Sequence, residues 1–288
     1  MPRFGYHIDQ PLAMIPYRLS ALNAVVFQTM LRDPMRLSKE GIPDLEDQEG
    51  YRIAVAQCLL AAQPSTVSSE PLWGMVHASL LTNLASPDPR IRHGSINALV
   101  GDANLAVSLG LEGVCFHGGY QKGYTDRREA LKVLTAKIVD VIAKLQPGAR
   151  VWLENSCEGT ELCQSIEEIG SVFRAVGGDP NQFGLVIDTC HLHVAGFDLA
   201  EESAPERLAD TLDAQGLTPY LRVLHLNDAI EECGSHRDRH AIPGEGTIGA
   251  GLLGLCAHPL FAPLPAILEL GTEAARSGIA YMQGESVS

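Results

Sequence analysis

Eight short apolar runs, at 4–8, 24–28, 72–77, 113–117, 150–154, 184–188, 220–228 and 265–269, recur along the chain with longer stretches of helical spacing between them. Runs this short and this rich in Val, Ile and Leu read as buried strands, and the stretches between them as helices that carry the chain back. The clearest such helix is TDRREALKVLTAKIVDVIAKLQPG. Thr125 or Asp126 caps it, Leu131, Leu134, Ile138 and Ile142 share one face, and Pro147-Gly148 stops it. Eight strands alternating with helices across 288 residues predict an α/β chain folded as a single (β/α)8 TIM barrel. No low-complexity tract, charged tail or Gly/Ser linker divides it, so residues 1–288 read as one domain. A doubly wound open sheet is the competing architecture. It lacks support, because no GxGxxG follows the first strand and Gly244-Glu245-Gly246 falls late in a loop.

The start, MPRFGYHIDQ, has no basic segment followed by an apolar stretch, so it does not read as a secretory signal. The most apolar stretch, 252–270, is broken by His258, Pro259, Pro263 and Pro265 before it reaches the roughly 20 residues of a spanning helix. Seven cysteines with no CxxC pair suit neither a disulfide framework nor a four-cysteine zinc site. An intracellular, cytoplasmic protein without membrane contact is expected.

Several of the apolar runs finish in a side chain able to hold a metal. His77, His117, Glu154 and Asp188 end the third to sixth runs, His225 lies in the seventh, and Glu269 closes the eighth. Strand ends of a parallel barrel share its C-terminal face, where active sites of such barrels are built. His191, Asp238 and His240 follow in the loops beyond, over the same mouth. Five histidines and four carboxylates, with no thiolate, form a nitrogen and oxygen set suited to zinc or manganese. Taken singly, each is more simply a hydrogen-bonded rim residue or a solvated cap. Gathered in one mouth without cations, they would be electrostatically costly. His93, His193, His236 and His258 read as surface or supporting groups, and His7 as a residue that could face a substrate.

The segments VWLENS (151–156), GLVIDTCHLHVAGFDL (184–199) and HLNDAIEECGSHRDRHAIPGEGTIG (225–249) resemble the endonuclease IV family of apurinic/apyrimidinic endonucleases. FHGGY (116–120), HASLLTNL (77–84) and ILEL (267–270) add shorter matches in the same order, so the resemblance spans nearly the whole chain. It implies a TIM barrel carrying three zinc ions, with manganese able to take one position. By motif, His77, His117 and Glu154 would hold one ion. Glu154 would bridge to a second, shared with Asp188, His225 and Glu269, and His191, Asp238 and His240 would hold the third. The implied activity is hydrolysis of the phosphodiester 5′ to an abasic site in double-stranded DNA, leaving a 3′-hydroxyl and a 5′-deoxyribose phosphate. Glu154 and Glu269 would be the catalytic carboxylates, and the protein would act as a monomer wherever the DNA resides.

The chain departs from the family around the DNA. Asn155 is followed by SCEGTELC in place of a Gly-rich turn, FHPG becomes FHGG at Gly118, and the lysine after HLND becomes Ile230. The loop that enters the helix beside the lesion reads TMLRDPMRLSKEG, which makes Arg32 and Arg36 the candidates for DNA contact, with Leu80 and Leu81 for filling the gap. A formal charge of −14 opposes broad attraction to a polyanion, although bound divalent ions would offset part of it inside one cleft. Two other functions fit part of the pattern. A single-metal sugar isomerase or epimerase would use Glu154, Asp188, His225 and Glu269 alone, and a noncatalytic lesion-binding protein would keep the cluster for stability.

Overall fold

The computed structural model describes residues 1–9, 11–38, 42–61 and 72–285. Eight parallel strands close into a barrel: β1 (Arg3–His7), β2 (Val26–Thr29), β3 (Trp73–His77), β4 (Val114–His117), β5 (Val151–Glu154), β6 (Phe183–Asp188), β7 (Leu221–His225) and β10 (Pro265–Leu268). β10 closes the ring by pairing with both β7 and β1. The eight runs read from the sequence are these eight strands, with ends shifted by a residue or two. The seventh is the exception. β7 stops at His225, and Asp228 belongs instead to a short antiparallel pair, β8 (Asp228–Ala229) with β9 (His240–Ala241), above the barrel mouth.

The return helices are α1 (Ile15–Ser20), α2 (Leu45–Ala61), α3 (Pro89–Ser108), α4 (Arg127–Ile142), α5 (Ile166–Val176), α6 (Thr189–Val194), α7 (Ala204–Ala214), α8 (Gly251–Ala257) and α9 (Thr272–Gln283). Their starts are written in the sequence. Asp88, Asp126 and Ser165 each accept a backbone N–H from the first turn of α3, α4 and α5, satisfying donors a helix end leaves open. Leu134 and Ile138 of α4 are buried as their spacing predicts, while Leu131 and Ile142 are half-buried at the edge of the same face. The helix ends at Ile142, several residues before the Pro147-Gly148 stop. No described helix is long and apolar enough to cross a membrane.

Two apolar layers result. One lies between strands and helices; the other fills the barrel itself with Val26, Met75, Cys115, Trp152, Val186, Val223 and Ile267. Side chains alternate across a strand, so these inward residues fix what stands two positions further on. That alternation builds the site.

Candidate metal centre

Two residues beyond the barrel plug, on the same inward face, stand Gln28 after Val26, His77 after Met75, His117 after Cys115 and Glu154 after Trp152. Asp188 after Val186, His225 after Val223 and Glu269 after Ile267 complete the layer. A floor of apolar side chains thus carries a ring of polar ones at the C-terminal mouth. Gly5 supplies no inward side chain because a Cβ there would come within 1.9 Å of the Val26 carbonyl oxygen.

Glu154 is the hub and is fully buried. Its Oε1 lies 2.8 Å from His225 Nδ1 and 3.5 Å from His191 Nδ1. Its Oε2 lies 3.3 Å from His77 Nε2 and 3.5 Å from His117 Nε2, and accepts the Cys115 thiol at 2.9 Å. A second group forms around Asp238, 3.1 Å from Nε2 of both His191 and His240. Asp188 joins the two, 3.8 Å from His240 Nε2 while its Oδ1 caps α6 by accepting the His191 backbone N–H. Glu269 Oε2 reaches within 3.5 Å of His225 Nδ1. All nine residues expected from the strand ends and following loops therefore meet; His77, His117, His191, Asp238, His240 and Glu269 line a cleft of about 390 Å³, and Glu154, Asp188 and His225 are buried.

Backbone carbonyls fix two of the rings. His77 Nδ1 donates to the Ala78 carbonyl at 2.7 Å and His191 Nδ1 to the Asn155 carbonyl at 3.0 Å, which turns each Nε2 toward a carboxylate. A backbone carbonyl behind one ring nitrogen is the usual support of a metal-binding histidine. His240 Nε2 is buried and near Asp238, yet has no hydrogen-bond partner among the described atoms, as expected of two donors aimed at a common point. Three separate sets of metal-ligating atoms, His77–His117–Glu154, Cys157–His191–Asp238 and Asp188–Cys190–His240, each lie within 4.8 Å of one another. The donor set fits divalent cations.

Electrostatics agree. Burial pulls the His225 imidazolium down, but Glu154 and Glu269 outweigh it and hold it at about 9. Burial likewise opposes the His240 charge, and Asp238 with Asp188 raises it to about 9. Glu269, against its burial, is lowered to about 2 by His225. Without cations the carboxylates thus use protonated histidines as counter-charges.

Three residues outside the nine expected ligands support the site. Gln28 Nε2 donates to Glu269 Oε1 at 2.6 Å and its Oε1 lies 2.8 Å from His225 Nε2. Asn227 Nδ2 donates to Asp188 Oδ2 at 2.6 Å, and its Oδ1 accepts the Glu269 N–H at 2.9 Å. Buried Asp228 accepts backbone N–H groups from Ala229, Gly244, Gly246, Ile248 and Gly249. A Cβ on Gly246 would fall 2.5 Å from that carboxylate, which explains the glycine-rich GEG segment as a cradle for Asp228. The end-of-strand rule does reach Gln28; an amide simply is not a metal ligand.

The residues expected to touch DNA fall differently. Leu80 and Leu81 are exposed at 49% and 42%, and Leu80 lines the cleft. Arg36 is exposed and 3.6 Å from Asp33. Arg32 corrects the expectation: it is buried, its Nε and Nη2 bind the Asp102 carboxylate, and its remaining donors bind the carbonyls of Leu37, Ser38 and Ala98. No donor is left for a phosphate. It braces the loop after β2, whose residues 39–41 lie outside the described ones. Arg32→Ala would strand a buried carboxylate and cost about 3–5 kcal/mol in urea unfolding; a loss below about 1 kcal/mol would contradict a bracing role. Of the other histidines, His7 lines the cleft, and His193 is buried, which fits the supporting rather than the surface alternative read for it.

Known proteins resemble the chain in sequence and fold. The family profile described as "Xylose isomerase-like TIM barrel" matches residues 55–255. A protein of Methanosphaerula palustris named "Probable endonuclease 4" is 34% identical over 290 residues, covering 98% of this chain and 96% of its own. One of the same name from Solibacter usitatus is 34% identical over 93% of this chain and 90% of its own. Among solved structures, endonuclease IV from Thermus thermophilus superposes with a TM-score of 0.80 at 25% identity, covering 98% of both chains. A D-tagatose 3-epimerase-like protein, at 16% identity and a TM-score of 0.74, covers 98% of this chain and 96% of its own and shares the fold alone.

Proposed function

Since the chain belongs to the endonuclease IV family, we propose that it is a metal-dependent nuclease that hydrolyses the DNA phosphodiester 5′ to an abasic site, leaving a 3′-hydroxyl and a 5′-deoxyribose phosphate. One observation carries this reading over that of a sugar isomerase. Glu154, Asp188, His225 and Glu269 would suffice for one ion and an isomerase, yet His77, His117 and His191 also converge on Glu154, His240 stands 3.8 Å from Asp188, and Asp238 links His191 to His240. An isomerase gives those five no task.

We assign His77, His117 and Glu154 to one zinc ion, Glu154, Asp188, His225 and Glu269 to a second, and His191, Asp238 and His240 to a third, with manganese an acceptable substitute at one position. Bound there, such ions supply Lewis acidity toward a phosphodiester and acidify water. The chain's own residues set the geometry. Glu269, with 18% of its side chain open to the cleft, is the group we assign to orienting the attacking water. Gln28 and Asn227 hold its two oxygens, so it presents one fixed rotamer. A missing base lowers the cost of turning the nucleotide out of the stack into the cleft.

Leu80 and Leu81 then fill the gap left in the duplex. Replacing Leu80 with Ala raises KM for abasic duplex about tenfold and leaves kcat nearly unchanged, the effect of losing ~1.5 kcal/mol of apolar burial. A fall in kcat with KM intact would place Leu80 in the chemistry instead. The function itself is tested on a duplex bearing one tetrahydrofuran abasic analogue. Cutting that leaves a polymerase-extendable 3′ end and stops with chelator supports the reading; an uncut duplex with metal-replete protein overturns it.

A further inference from the structure

A second set of metal-ligating side chains lies outside the mouth, where the end of α6 meets the loop at 230–239. His193 on α6, Asp198 and Cys233 bring one nitrogen, one carboxylate oxygen and one sulfur within 4.8 Å of each other. His193 is 2% exposed, and the other two are half-buried. His193 Nδ1 stands 3.6 Å from Asp198 Oδ1. Two ligands of one tetrahedral zinc ion, each bonded at ~2.0–2.2 Å, are separated by roughly that distance.

Hydrogen bonding fixes the tautomer of that ring. His193 Nε2 lies 3.3 Å from Thr247 Oγ1. The threonine hydroxyl has one proton, and its other neighbours, the carbonyls of Glu231 at 2.8 Å and Ala229 at 3.1 Å, can only accept. Nε2 therefore carries the ring proton and donates it to Thr247. Nδ1 carries the lone pair, consistent with its acceptance of the Leu199 N–H at 3.2 Å. A lone pair and a carboxylate oxygen thus face each other with no proton between them, Nδ1 taking only the long Leu199 N–H and Oδ1 the Ala200 N–H at 2.9 Å. A cation between them relieves that repulsion, in exchange for the long Leu199 contact.

The loop bearing the thiol is already docked. Gly234 N–H donates to the His193 carbonyl at 3.2 Å, and His236 N–H to the Val194 carbonyl at 2.9 Å. Carboxylates surround the site: Asp228 and Glu232 act on His193, and Glu201 and Glu232 on Cys233, with Arg207 the opposing charge. From this geometry we infer that His193, Asp198 and Cys233 form an additional site for a thiophilic divalent cation such as zinc, distinct from the centre at the mouth. The thiol proton leaves to solvent as the sulfur–metal bond forms, and water completes the tetrahedron. The ion would pin the 230–239 loop, which carries Asp238, to the helix that carries His191. Its binding does not depend on the nuclease reading.

Cobalt(II) added to the chelator-stripped full chain tests it. A thiolate-to-cobalt charge-transfer band in the near ultraviolet is expected, together with about one fewer ion per chain in Cys233→Ser by native mass spectrometry. That substitution removes the band, while Cys157→Ser and Cys190→Ser retain it, which separates this site from the thiols beside the mouth. Asp198→Asn weakens the cobalt dependence of the band at least about tenfold. Unchanged circular dichroism of the metal-free variants shows that the fold is kept. A band that persists in Cys233→Ser, or no band in the parent, overturns the proposal.

Discussion

Glu154→Gln lowers the rate of nicking at an abasic analogue by about a thousandfold or more, the largest effect expected of any single substitution here. The change keeps the size and shape of the side chain and removes its charge. Glu154 touches His77, His117, His191, His225 and Cys115 and is closed to solvent. In the proposed assignment an amide would keep one oxygen able to hold a cation and would present an N–H group where the second oxygen stood. The reaction is followed on the tetrahydrofuran duplex, with circular dichroism confirming that the variant is folded. Cutting by Glu154→Gln at the parent rate would mean that the activity resides elsewhere, in this chain or in a contaminant.

Removing divalent ions is expected to steepen the protein's loss of stability as pH rises. In the metal-free protein His225 and His240 sit at about 9, above the ordinary 6.5 of an unfolded histidine. The folded state therefore keeps protons that the unfolded chain gives up. Their contribution to stability is complete below 6.5 and is lost as pH rises through 9. Glu269, at about 2 rather than 4.5, contributes above 4.5 and loses its contribution as pH falls toward 2. The metal-free protein is thus expected to weaken between pH 6.5 and 9. Zinc competes with protons for the same imidazoles, so its contribution grows over that window. An ion at 100 times its dissociation constant adds about 2.7 kcal/mol per site. Denaturant midpoints with chelator should fall from pH 6.5 to 9, and midpoints with excess zinc should fall less or rise. Parallel curves would show that these histidines do not carry the ions.

The barrel is legible because a parallel sheet covered on both faces turns its strands into nearly unbroken apolar runs. β2, β5, β6 and β10 are buried at every position, so no polar alternation blurs them. Six of the nine site residues are legible for the complementary reason, since a charged or imidazole side chain at the end of such a run faces the mouth; His191, Asp238 and His240 lie in the segments beyond and are legible only through the motifs around them. The short β8–β9 pair is not. Its apolar flank continues the run at 220–228, and only the hydrogen bonds of Asn227 to Asp188 and Glu269 show why the barrel strand stops at His225. Arg32 misleads because a cation in a loop looks solvent-facing until its partner, Asp102, seventy residues later, is known. Asp228 escapes notice because its partners are backbone N–H groups, which leave no mark in a sequence beyond the glycines that let them approach.

Divalent ions held together at the mouth would be seen directly by anomalous diffraction at the zinc absorption edge, from crystals of the metal-replete protein. Three peaks are expected within the cleft, one between His77, His117 and Glu154, one among Asp188, His225 and Glu269, and one between His191, Asp238 and His240. A single peak on Glu154, Asp188, His225 and Glu269 would fit an isomerase and contradict the nuclease reading, and a mouth without peaks would contradict both.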